Sequence, residues 1–159
     1  MAFARDTYYA ALYEHLQANV KGITTWSRRH LQFSRVPAAA QPACLVLAAN
    51  QNCYQEPGCP TVWTLGADIV IWVRASNQED SLDTVLNELL DEVERVLLRG
   101  STDTIPSGRQ ATTLTTLGGI LQSMNFAGPW DINQREGAEE ASVVIPIDMV
   151  VLGDNPGSS

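Results

Sequence analysis

The residues able to do chemistry in this chain are few and scattered. Cys53 and Cys59 have five residues between them, whereas a zinc knuckle wants roughly two to four and a second ligand pair elsewhere. No second pair exists, since the remaining cysteine, Cys44, lies alone in an apolar run and reads as a small core residue. A local Cys53–Cys59 disulfide is geometrically open, and a reducing compartment would keep both thiols free. His15 sits beside Glu14 and His30 follows Arg28 and Arg29, with no G-x-S-x-G elbow to make either the base of a nucleophile. Both read as structural or solvated histidines. The carboxylates Asp80, Asp83, Glu88, Asp91, Glu92 and Glu94 are what remains opposite an apolar helical stripe. Gly118–Gly119 lacks a Walker lysine and a G-x-G-x-x-G frame, so it reads as a turn or bulge. No catalytic residue, metal-ligand set or cofactor site is assigned, and the chain is read as not an enzyme.

Arg28, Arg29 and Arg35, interleaved with Trp26 and Phe33, form the one basic cluster. Eighteen acidic residues against ten basic ones give a net charge of −8, and such a chain repels a polyanion. The cluster is thus weak evidence for nucleic-acid contact, and an inter-subunit salt-bridge surface explains it at least as well. With 159 residues, 45% hydrophobic and 18% charged, the chain is sized for one domain that needs no disulfide or metal staple. The start, MAFARDTYYAALYEHL, has no secretory pattern, and no apolar run approaches the ~20 residues of a membrane-spanning helix. A soluble protein made in the cytoplasm, without membrane partners, is expected.

These side chains must be positioned by a small number of elements. Tyr9, Leu12, Tyr13, Leu16 and Val20 recur at three- and four-residue steps and predict an amphipathic helix over residues 4–20, with Asp6 or Thr7 as its cap. An irregular or edge strand is expected at 23–33, a proline-bracketed loop at 36–42 and a strand at 43–49. Residues 50–60, NQNCYQEPGCP, read as a long exposed hairpin tip. A long strand over 61–76 should carry a bulge or break at Gly66, and its nearly continuous apolar second half predicts cover on both faces. Leu82, Val85, Leu86, Leu89, Leu90, Val93, Val96 and Leu97 predict a second helix over 80–98, capped by Asp80 or Ser81. A long polar loop at 101–113, a strand within 114–126 and a final strand at 141–152 follow, with Pro146 implying an unpaired or bulged edge. Residues 1–152 form the domain and 153–159 a flexible tail.

Two helices cannot cover both faces of such a sheet. The expected fold is α+β: a mainly antiparallel sheet with both helices packed on one face and a long hairpin. The other face is left with apolar and aromatic surplus, which points toward assembly rather than catalysis.

The order of these elements, with P-x-V-W-x-L-x-A-D-I-V-I-W-V-R-A, the helix D-S-L-D-x-V-L-N-E-L-L-D-E-V, the T-L-G-G loop and the strand E-A-S-V-V-I-P-I-D-M-V-V, resembles the tail terminator proteins (minor tail protein U-like) of long-tailed bacteriophages. The resemblance covers residues 4–152 and rests on element order and pattern. It implies a ring-forming subunit, a homohexamer that caps the tail tube, ends its polymerisation and offers the head-docking surface. The expected location is the head-proximal end of the virion tail, after assembly in the host cytoplasm. Implied partners are further copies of the chain, the tail tube protein and the head-to-tail connector protein, while genomic DNA passes through the channel without specific binding. Within that picture the polar loops at 50–60 and 101–113 would meet partners along the tube axis. Trp63, Trp72 and Trp130 are candidate interface anchors; Trp63 and Trp130 read equally well as core, Trp72 better as core, and Arg28 and Arg29 are candidate ion-pair contacts between subunits. The alternatives are a connector or neck ring protein, a small-ligand-binding or enzymatic α+β domain, and an adaptor.

Overall fold

Three long runs rich in apolar and β-branched residues form the spine of the sheet, and in the last, residues 140–152, burial alternates residue by residue. The computed structural model describes residues 4–32, 35–74, 82–98, 114–134 and 140–153. In chain order the elements are α1 (Arg5–Asn19), β1 (Thr25–Ser27), β2 (Ala43–Tyr54), β3 (Val62–Arg74), α2 (Leu82–Leu97), β4 (Ser123–Phe126), β5 (Asp131–Gln134) and β6 (Glu140–Leu152). The sheet order is β1-β2-β3-β6-β4, and β5 pairs with another stretch of β6. The expected α+β class holds, but the sheet is mixed: β1 runs parallel to β2, and the other pairings are antiparallel. A parallel neighbour needs a long return, and residues 28–42 supply it.

Both helices pack on one face. Tyr9, Leu12 and Leu16 of α1 and Leu86, Leu90, Val93 and Leu97 of α2 are buried against Val46, Leu65, Ile69, Ile71, Val143, Ile145, Ile147 and Met149. Each such burial contributes about 1.5–3 kcal/mol gross. The Tyr9 hydroxyl donates to Gly66 O at 2.9 Å and accepts from Gln51 Nε2 at 3.2 Å, tying α1 to the middle of the hairpin. There the register shifts between Ala48 and Gln51, so Ala49 and Asn50 together oppose Gly66. A Cβ on Gly66 would sit 2.5 Å from Asn50 O, which explains why only glycine fits the bulge. Because pairing resumes beyond the bulge, β2 runs on to Tyr54 and the tip shortens from the expected 50–60 to residues 55–61.

The other face departs from expectation. From the connection between β1 and β2, Leu31, Val36 and Ala40 pack on it with Ala43, Leu45 and Trp72 in a second small core. Part of the apolar surplus is thus covered by the chain itself, and a neighbouring subunit is not required there. Farther along, Leu47, Val70, Val144 and Val150 remain half-buried.

Other boundaries also moved. The expected strand at 23–33 contracts to Thr25–Ser27 because the Arg29 N–H donates to Ser27 Oγ at 2.9 Å and turns the chain out of the ladder. Neither Asp6 nor Thr7 caps α1; the helix begins at Arg5, and the Asp6 carboxylate is engaged by Arg28 instead. In 114–126 only β4 is strand, since Leu117, Gly118 and Gly119 take φ of 53°, 73° and 91° and turn the chain. Pro146 sits where β4 has ended and β5 has not begun, and its carbonyl accepts from Ala127 N at 2.9 Å on that side. Its missing N–H thus faces the interrupted edge and removes no bond to β3. The expected flexible tail does not begin at Gly153, which is buried with its N–H donating to Thr61 O at 2.7 Å, and its remainder, 154–159, lies with the cap at Asp80 or Ser81 and the loop at 101–113 outside the described residues.

Candidate assembly surface

Among the described residues no group of three or more His, Cys, Asp and Glu side chains could hold a metal ion. His15 is structural: its Nε2 lies 3.0 Å from Val96 O, linking α1 to α2. Cys44 is buried under the helices, and burial pushes its thiol up to about 12, which leaves it inert at neutral pH. Cys53 and Cys59 are free and exposed.

The five candidate interface residues fall in different places. Trp72 lies at the far end of β3 from the hairpin and is 7% exposed in the second core, so it serves the chain's own packing. Trp63 is half-buried near the hairpin end, with the Arg5 guanidinium 4.3 Å from its ring centroid and Gly153 against its indole. It staples the start of α1 to the end of β6. Trp130, between β4 and β5, meets Phe126 edge-to-face at 5.2 Å and keeps part of its ring exposed. Arg28 forms a 2.8 Å ion pair with Asp6, and the guanidinium holds that carboxyl below its usual range. Arg29 is exposed just past β1. The structure therefore gathers Arg28 and Arg29 at one edge of the sheet, leaves Trp130 at the opposite edge, and folds Trp72 inward.

Among the described residues, the most exposed large hydrophobics are ones that the sequence did not single out: Tyr54 at 62%, Leu152 at 51%, Ile132 at 50% and Ile120 at 45%. Tyr54 pairs with Val62, which pairs with Leu152, so the three share one row on the face away from the helices. The turn bearing Ile120 adjoins the same end of the sheet, because Gln122 N donates to Val150 O at 2.8 Å. Tyr54 was hidden by the turn-forming residues around it, and Ile132 by a strand too short to show a period. The same open face carries Asp68, Asp148 and Asp131, and Arg74, the one cation within the described strands, pairs there with Glu140.

The fold has a counterpart among solved structures. This chain is similar to a chain in the virion of a native gene transfer agent particle, with a TM-score of 0.53 and 13% identity, over 91% of this chain and 94% of that one. At that identity the likeness is one of fold. No family model matches the sequence. No curated protein matches it either.

Proposed function

We propose that this chain is a structural subunit of a phage-like particle and works as a tail terminator: a ring, hexameric by the family pattern, that ends tail-tube growth and presents a docking surface to the head. The observation that carries this reading is the fold shared, almost end to end on both sides, with a virion chain. The surface is consistent with assembly. Tyr54, Leu152 and Ile120 expose apolar area at one end of the sheet, where a partner along the tube axis would cover it. Asp68, Asp131 and Asp148 give the open face an acidic character suited to a channel wall along which a polyanion slides without adhering.

Multi-angle light scattering and negative-stain imaging of the purified protein test the reading. A six-fold annulus is expected, and a lone globule at every concentration overturns it. Capture by tail tube protein is expected next. Capture by head-vertex connector protein alone, without the tube, would instead assign the ring to the neck. Duplex DNA should not be retained by the protein at low salt; strong retention would overturn the acidic-wall assignment.

A further inference from the structure

The sheet has two edges that no described strand covers: β1 pairs only with β2, and β5 only with β6. The registers put these edges at the same height. Trp26 pairs with Cys44, Cys44 with Ile71, Ile71 with Val143 and Val143 with Ile132, a continuous row from one edge to the other. The rows on either side end in Thr25 and Asn133, and in Ser27 and Asp131. Strand directions are complementary as well. β1 is parallel to β2, and three successive antiparallel pairings lead from β2 to β5, so β5 runs opposite to β1. Rotation about an axis along the strands brings β5 of one copy antiparallel to β1 of the next.

The side chains fit the same arrangement. Ile132 is half exposed on an edge strand, a placement that invites pairing, and neither β1 nor β5 carries the proline or lysine that commonly blocks it. Trp26, half-buried, occupies the same row on the same face. On the other face Asp131 is exposed in the row of Ser27, and exposed Arg29 follows two residues beyond. Asp131 at one edge and Arg29 just past the other are thus opposite charges on the same face of the pairing.

We propose that copies of this chain associate head-to-tail through these edges, with β5 adding antiparallel to β1 of the next copy, Ile132 against Trp26, and Asp131 opposite Ser27 within reach of Arg29. Such a heterologous contact, repeated, closes a ring when its rotation closes. The assignment rests on the ring reading above and names its interface.

Paired Ser27→Cys and Asp131→Cys substitutions, in a Cys53→Ser/Cys59→Ser background, test it by mild oxidation and a non-reducing gel. A ladder of covalent multimers up to the ring size is expected, whereas either single-cysteine variant should stop at a dimer. Asn133→Cys in place of Asp131→Cys covers a two-residue slip on the same face. Ile132→Arg, at an exposed site, should keep the native circular dichroism and weaken self-association at least tenfold. An intact annulus in Ile132→Arg, with no ladder from either cysteine pair, overturns the edge assignment and leaves the ring standing. A chain that is monomeric throughout overturns both.

Discussion

Replacing Trp72 separates packing within the chain from packing between copies. The indole is 7% exposed and touches the small core formed by Val36, Ala43 and Leu45 on the face away from the helices. Truncation to alanine removes that contact and leaves a void which the loop above cannot fill without giving up its own packing. Buried Trp→Ala substitutions cost about 3–5 kcal/mol, a large share of the about 5–15 kcal/mol that holds a domain folded. For a chain of this size each kcal/mol lowers Tm by about 2–4 °C, so Trp72→Ala should melt about 6–20 °C lower. Urea unfolding followed by circular dichroism at two protein concentrations tenfold apart is the assay. The same loss should appear at both, because a contact inside one chain is independent of mass action. Trp130→Ala, where the ring is half exposed on Phe126, should cost only about 1 kcal/mol in the same experiment. A loss below about 1 kcal/mol for Trp72→Ala, or one that appears only at the higher concentration, would refute the assignment of Trp72 to the chain's own core.

Gly66→Ala should destabilise by about 1–3 kcal/mol or more, because its Cβ meets the Asn50 carbonyl at 2.5 Å and the bulge must open; Ala67→Gly is the control, and urea midpoints read the difference. Native protein should react with Ellman's reagent at two thiols, Cys53 and Cys59, and show the third only in denaturant, because burial holds the Cys44 thiol near 12. Glu92, hydrogen-bonded by Arg95 and by the Lys21 N–H, is held at about 2 against an ordinary 4.5. Its folded value is depressed, so its contribution is present above pH 4.5 and is lost as pH falls toward 2. The stability gap between the native protein and Glu92→Gln should therefore close over that window in acid unfolding curves, and a gap that is constant with pH contradicts the pairing.

The two helices were legible because each carries its own period: Leu82, Leu86, Leu89, Leu90, Val93 and Leu97 mark a buried stripe without reference to anything distant. The same holds for β6, long enough for alternation to register, and for β3 through its nearly continuous apolar run; an irregularity at Gly66 was legible too, although the two-residue side of the bulge falls in β2 and not in β3. The candidate surface was less legible. Arg28 and Arg29 stood out as a charge cluster and do lie on an edge, but Ile132 and Tyr54 gave no signal, since exposure is a property of what fails to cover a residue. Trp72 carried the converse ambiguity: an aromatic in an apolar strand reads alike whether its cover is a loop of its own chain or a second copy.

The sequence alone determined an acidic chain of α+β class with two helices, long strands and an irregularity at Gly66, because these depend on neighbouring residues and on composition. Tertiary structure decided that β1 runs parallel to β2, that Leu31, Val36 and Ala40 pack with Trp72, and that β5 exists at all. It also decided that Trp26 and Ile132 end the same row at opposite edges. Those outcomes depend on which distant backbone each strand finds as a partner. A strand of three or four residues is too short to declare that choice in its own pattern of side chains.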